Sequence, residues 1–188
     1  MSVAVAILAA GKAARFGRQK LLETWSGRPV LEHVLTAVSE AGLGNVLLVT
    51  GDEPFAELAA NYSARVVCNP GFESGIGTSI ATSADACDGE TEALVIVLGD
   101  QPLVTAAHLR ALVAAWDGAE GGIVATSYAD TQGPPVLFGS AYFSELASLN
   151  DDSGAKRILR AHAERVGTVT FEPAAFDVDT PDDLARLD

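Results

Sequence analysis

A-V-A-I-L-A-A-G-K-A-A-R-F-G-R-Q-K-L-L, residues 4–22, decides how the chain is read. Its apolar start, residues 3–9, has the length of a buried strand, and it empties into a basic loop containing Gly11 and Gly17. The chain carries 25 acidic and 12 basic residues, yet residues 1–22 hold no Asp or Glu. Lys12, Arg15, Arg18 and Lys20 bring four of the twelve bases into nine residues. A net charge of -13 repels anions in general, so so local a basic cluster points to an anionic ligand. Glycines at 11 and 17 let the backbone approach that ligand and turn N–H groups toward it. The pattern predicts a phosphate-handling loop; the alternative is a solvated basic turn.

The rest of the chain repeats the alternation that this strand begins. Residues 46–50, 65–68, 93–98, 122–126 and 166–171 read as further strands rich in Val, Ile and Leu. Helical spacing falls between them, at 31–41, 56–61, 78–87, 106–116, 142–148 and 155–162. Leu31, Val34, Leu35 and Val38 form one apolar helix face, and Leu109, Leu112, Val113 and Trp116 another. Unbroken rather than alternating apolar strands imply burial on both faces. The expected fold is therefore a three-layer α/β domain with a mainly parallel sheet, helices on both faces and right-handed crossovers. A single domain over residues 1–188 is expected. The Gly-Pro-rich piece 131–135 interrupts the alternation, and a short extra strand at 136–138 is expected on an antiparallel edge. Near the end, Thr180, Pro181 and Asp183 read as N-cap, first helical residue and capping-box acid.

Composition excludes several classes of function. The acidic balance argues against nucleic acid and anionic membranes as partners. No apolar run approaches the length of a membrane span, and the N-terminus lacks the pattern of a signal peptide. Cys68 and Cys87 have neither redox nor zinc spacing, which fits reduced thiols in a cytoplasmic protein. His33, His108 and His162 lack ligand spacing and read as helix-surface residues. The basic loop satisfies neither the P-loop pattern nor the dinucleotide fingerprint, and G-I-G-T-S-I at 75–80 has Ile80 where a third glycine belongs. No G-x-S-x-G is present.

Two acidic motifs complete the pattern. V-I-V-L-G-D-Q-P, residues 95–102, sets Asp100 directly after a buried strand. That is the sheet edge at which open α/β folds bind ligands, the same rim as the basic loop. An acid facing bound phosphates needs a cation between them, and magnesium held by one or two carboxylates and phosphate oxygens satisfies that need. A turn aspartate before Pro102 is the alternative. In F-D-V-D-T-P-D-D-L, residues 176–184, Asp177 and Asp179 share one face of an extended stretch. Asp182 and Asp183 suit the first turn of a helix, which leaves Asp179 as the metal candidate beside a capping or turn role. The segment from Asp151 to Arg157 reads either as a second phosphate site or as a capped helix with a solvated basic face.

Taken in order, L-A-A-G-x-x-x-R-F-G-x-x-K at 8–20, N-P-x-x-x-x-G-x-x-x-S at 69–79, L-G-D-Q-P at 98–102, D-S-G-A at 152–155 and D-V-D-T-P-D-D-L at 177–184 span nearly the whole chain. The set resembles the MobA-like nucleotidyltransferases, and within them the molybdenum cofactor cytidylyltransferases of MocA type. The resemblance implies a Rossmann-like nucleotidyltransferase fold that joins an NTP to a phosphorylated acceptor with magnesium, releasing pyrophosphate. It implies nucleotide contacts at Leu8, Ala9, Ala10, Gly11, Lys20, Asn69, Gly75 and Ser79. It implies catalytic roles for Arg15, Lys20 and Asp100, and magnesium ligands at Asp100 and Asp179. L-A-A-G with G-D-Q-P resembles the branch that uses CTP with molybdopterin, whose product serves molybdenum hydroxylases. Relatives using GTP or ATP with sugar or alcohol phosphates, and a non-catalytic cofactor-delivery protein, are the alternatives. Two positions depart from the pattern: Pro134, in Gly133-Pro134-Pro135-Val136, cannot donate a backbone hydrogen bond, and Asn150 stands where many members have Gly.

Overall fold

The computed structural model describes residues 2–11, 19–51 and 55–187. Its elements, in chain order, are β1 (Val3–Leu8), β2 (Thr24–Trp25), β3 (Arg28–Pro29), α1 (Val30–Ala41), β4 (Gly44–Thr50), α2 (Ala56–Asn61), β5 (Arg65–Cys68), α3 (Ile76–Asp85), β6 (Ala93–Leu98) and α4 (Ala106–Ala115). There follow β7 (Ile123–Tyr128), β8 (Thr131–Gly139), α5 (Phe143–Ala147), α6 (Lys156–Ala161), β9 (Val166–Thr170) and α7 (Pro181–Leu187).

A seven-stranded sheet in the order β5-β4-β1-β6-β8-β7-β9 forms the middle layer. β1 pairs in parallel with β4 on one side and β6 on the other, and every residue of β1 is buried. Its side chains divide by the strand period of two. Val3, Val5 and Ile7 enter one core with α1, α2 and α4, through residues such as Val34, Ala59 and Leu109. Ala4, Ala6 and Leu8 enter a second core on the opposite face, with Ile80 of α3, Leu146 of α5 and Ile158 of α6. The unbroken apolar run in β1 is thus explained, and the expected three-layer architecture is present. The edge strands differ: β5 and β9 are mostly exposed or half-buried, so burial on both faces holds only for the middle of the sheet.

The extra strand is longer than expected and is not an edge. β8 runs antiparallel between β6 and β7, and β9 forms the edge instead. Two left-handed residues, Ala129 (φ 45°) and Asp130 (φ 57°), form a tight β7–β8 hairpin. Pro134 and Pro135 lack N–H groups, and the sheet accommodates them at a local irregularity. The register with β7 shifts between Ala125 and Thr126, and pairing with β6 begins only at Val136. A Gly-Pro cluster that resembles a chain break thus marks a bulge inside a continuous strand.

His108 is also a correction. It is buried rather than on the helix surface, at 4% exposure. Thr105 caps α4 by accepting the His108 backbone N–H, and the His108 ring stacks on Phe171 with 4.3 Å between centroids. The Thr126 hydroxyl donates to the Pro135 carbonyl at 2.6 Å and accepts from His108 Nε2 at 2.8 Å. A neutral ring with its proton on Nε2 satisfies this chain, which ties α4 to the bulge between β7 and β8. Burial pushes the His108 pKa down to about 4. The unfolded chain then takes up a proton near pH 6.5 that the folded chain refuses until about pH 4. Its contribution is complete above that window and is lost as pH falls through it, by about 3 kcal/mol in all. Urea unfolding between pH 7 and 4 is expected to lose this amount relative to His108→Gln; parallel stability curves for the two proteins would exclude the burial effect.

Candidate active site

Because β4, β1 and β6 are parallel, their C-terminal ends meet on one rim. Beyond β1, the Ala9 N–H donates to the Val49 carbonyl at 2.8 Å, which holds Ala9 beneath the surface at 1% exposure. Leu8, Ala10 and Gly11 reach a cavity of about 280 Å³ also lined by Lys20, Gly75, Ser79 and Asp100. Seven of the residues expected in the site therefore share one cavity. Arg15, with Lys12, Gly17 and Arg18, lies outside the described residues.

The acidic motifs reach the rim by a route that spacing alone does not disclose. Gly99 donates to the Leu8 carbonyl at 2.9 Å, and Val178 donates to the Asp100 carbonyl at 2.9 Å. Val178 is fully buried, so Asp177 and Asp179 turn away from the core on either side of it. Asp179 does not line the cavity, yet it converges with Asp100 on a single cation: Lys20 Nζ donates to Asp100 Oδ2 at 2.7 Å and to Asp179 Oδ1 at 3.0 Å. Burial pulls the Lys20 pKa down, but the Asp100 charge and hydrogen bond, then those of Asp179, outweigh it and the net displacement is upward. Beyond Asp179, Asp183 accepts from the Thr180 N–H at 2.8 Å and the Thr180 hydroxyl at 2.8 Å, the acid half of the expected capping box.

Asp177 joins this acid group although sequence reasoning passed it over as a ligand. Its pKa is pushed up to about 6, first by partial loss of water, then by Asp100; Asp179 adds to the rise, while a hydrogen bond from Gln101 and the Lys20 charge oppose it. The alternation of acids at 177 and 179 was the available signal. Gln101, at 1% exposure, also donates to the Ala174 carbonyl at 2.8 Å and so fixes the approach of this segment to β6.

Asn69 is placed differently from the cavity-lining residues. It is 2% exposed, donates to Thr78 Oγ1 at 2.9 Å and Ser79 Oγ at 3.0 Å, and accepts from the Gly71 N–H at 3.0 Å. Its amide clasps the 69–75 loop onto the start of α3. Gly75 follows with φ 123°, a conformation that L side chains rarely adopt, and a Cβ there would meet the Asp152 carboxylate and lie 2.7 Å from the Asp151 carbonyl carbon. The Gly77 N–H donates to the Asp151 carbonyl at 2.9 Å, which completes the seam between α3 and the 150–153 turn.

A larger cavity of about 610 Å³ adjoins the first, sharing Leu8, Ile76, Leu98 and Asp152 with it. Ile80, Ile96, Pro134 and Val136 give it apolar walls, and Lys156, Arg157 and Arg160 supply cations. Asp177 and Tyr128 also line it. Gly133 makes room for that tyrosine, because a Cβ at 133 would collide with the Tyr128 hydroxyl.

The donor chemistry fits a divalent cation. Two carboxylate oxygens already converge on one positive centre, and hard oxygen ligands with room for phosphate oxygens suit magnesium or manganese. Among the described residues no group of three or more His, Cys, Asp or Glu side chains forms a metal cage, so any such ion would complete its shell with substrate and water.

A parallel rim carrying a cation beside paired acids, with two adjoining cavities, belongs to the nucleotidyltransferase class of α/β domain. Residues 5–166 match the MobA-like NTP transferase domain, and the chain belongs to that family. It is 32% identical to a molybdenum cofactor guanylyltransferase of Xanthomonas euvesicatoria, across 96% of this chain and 92% of that protein. Identity to the purine catabolism protein PucB of Bacillus subtilis is 30%, across 94% and 91%. The bifunctional protein GlmU of Trichlorobacter lovleyi is 37% identical over 116 residues, but the chain spans only 25% of its length. Among solved structures, Rv0371c from Mycobacterium tuberculosis superposes with a TM-score of 0.85 at 29% identity, covering 100% of this chain and 97% of that one. The same protein in complex with manganese gives 0.79 at 27% identity, covering 100% and 98%.

The seam between the cavities provides a structural test. Gly75→Ala combines an unfavourable φ with a collision against backbone and carboxylate, and is expected to cost about 1–3 kcal/mol. A thermal melt unchanged from that of the parent protein would contradict the packing described.

Proposed function

We propose that the chain transfers the cytidylyl group of CTP to the phosphate of molybdopterin and releases pyrophosphate. The observation that carries this reading is the convergence of Lys20, Asp100 and Asp179 beside the smaller cavity, which the larger one adjoins. In the smaller cavity, the Ala10–Gly11 backbone and Lys20 receive the nucleotide phosphates, a task that the resemblance also gives to Arg15. Gly75 and Ser79 border the base and ribose, with Asn69 holding that wall in shape. CTP is favoured by the resemblance of L-A-A-G, with Ala10, and G-D-Q-P to the cytidine-using branch of the family. GTP is the second candidate, because the guanylyltransferase relative matches over nearly its full length.

The larger cavity suits a flat phosphorylated heterocycle, with apolar walls for the ring and Lys156, Arg157 and Arg160 for anionic groups. An oxygen of the acceptor phosphate attacks the α-phosphorus of the nucleotide, and the bond to the β-phosphate bridging oxygen breaks. The electron pair leaves with pyrophosphate, whose charge Arg15 and Lys20 stabilise. The chain supplies no covalent nucleophile; it supplies alignment and charge, and orientation alone contributes about 7–11 kcal/mol. Asp100 and Asp179 would hold magnesium, which when bound would neutralise charge on the phosphate oxygens. The setting is cytoplasmic, and the cofactor passes to a molybdenum hydroxylase.

Pyrophosphate release, measured with purified molybdopterin, magnesium and either CTP or GTP, tests the assignment. Strong release with CTP is expected. Release with GTP alone would overturn the base, and silence with both would overturn the acceptor. Arg15→Ala is expected to lower turnover by about 10²–10³ while the protein stays folded. Asp100→Asn is expected to shift the magnesium dependence of turnover to higher concentration; an unaltered titration would remove Asp100 from the metal site.

A further inference from the structure

Lys20 cannot perform two tasks at once. Its ammonium stands where both carboxylates converge, 2.7 Å from Asp100 Oδ2 and 3.0 Å from Asp179 Oδ1. The Lys20 side chain is only 13% exposed, whereas that of Asp179 is 53% exposed. A divalent ion of magnesium's size binds carboxylate oxygens at about 2.0–2.1 Å, so it and the ammonium cannot occupy that point together. Two of the three ammonium donors are already committed to the acids, and an ammonium held there is poorly placed for a phosphate.

We propose that Lys20 is the resident counter-ion of the Asp100–Asp179 pair, and that it leaves the pair for the nucleotide phosphates when a divalent cation binds. This rests on the reading of those two acids as the cation's ligands. Lys20 lines the same cavity as Gly11 and Asp100, and its flexible four-carbon stem lets the ammonium change partners without moving the backbone. Before the exchange, one ammonium faces two carboxylates, and the pair keeps a net negative charge that repels a triphosphate. Afterwards the acids are neutralised and the freed ammonium adds a positive charge to the same floor. Cation and nucleotide therefore strengthen each other's binding, and the coupling is reciprocal. Lys20 in turn competes with the cation and weakens its binding in the absence of nucleotide.

The exchange is tested without turnover, by titrating the full-length protein with Mn²⁺ alone and reading free Mn²⁺ by electron paramagnetic resonance. Lys20→Met is expected to bind Mn²⁺ about tenfold more tightly than the parent protein, and Asp100→Asn in that background is expected to abolish the gain. Equal or weaker binding by Lys20→Met, with Asp100→Asn still harmful, would overturn the exchange and leave the metal assignment standing. Indifference of Mn²⁺ binding to Asp100→Asn would overturn both. A second measurement needs no variant to fold. The chain has three lysines, Lys12, Lys20 and Lys156, so ¹³C-lysine labelling gives a sparse side-chain spectrum. Saturating Mg²⁺ without nucleotide is expected to move the Lys20 Cε signal; a fixed Lys20 signal would overturn the proposal.

Discussion

β1 has hydrogen-bonded neighbours along both edges and apolar cores against both faces. A strand so enclosed has no solvent-facing side, and its chain reaches water only where it ends. The segment after Leu8 therefore emerges on the rim that the parallel neighbours β4 and β6 share. Burial on both faces, the dominant favourable term for such a domain, thus dictates where chemistry can be placed. Polar side chains from residues far apart in sequence gather there because the interior has no place for them.

The rim concentrates charge in a chain that is acidic overall. Asp100, Asp177 and Asp179 lie close enough for the Asp177 carboxyl to be displaced upward partly by its neighbours, so their repulsion is incompletely relieved by Lys20. Backbone bonds hold the group together: Val178 N–H to the Asp100 carbonyl, and Asp183 beneath the residues that follow. Like charges are kept adjacent by a buried valine and a capped helix. The proposed cation binding and phosphate contacts both draw on this stored imbalance.

Much of this was legible in the sequence, and what was not has identifiable causes. Continuous apolar runs disclosed the three layers because the period of β1, with both phases apolar, leaves no polar face. Gly11, Lys20 and Asp100 disclosed a rim because they lie in the segments that leave β1 and β6, whereas Asp179 reaches it only through the bond from the Val178 N–H to the Asp100 carbonyl. β8 was misplaced at an edge because strand order depends on long-range pairing, and because prolines signal a break unless the neighbouring register shifts to receive them, as it does at Ala125/Thr126. His108 was misread because helical spacing does not reveal that α4 crosses the Thr126–Pro135 bulge. Asn69 was recognisable by its motif, but only the fold shows that its amide is spent on Thr78, Ser79 and Gly71.

The reversed strand β8 divides the sheet unevenly. On one side stand β5, β4, β1 and β6, all parallel and all drawn from the first 98 residues; on the other stand β7 and β9. The two parts meet along a ladder of four residue pairs between β6 and β8, from Ala93 with Gly139 to Ile96 with Val136. Substitutions in the hairpin or in α6, which line the larger cavity and not the smaller one, can reshape it while the parallel part keeps its geometry, so a lineage of this architecture can change what it modifies without relearning how to hold a nucleotide.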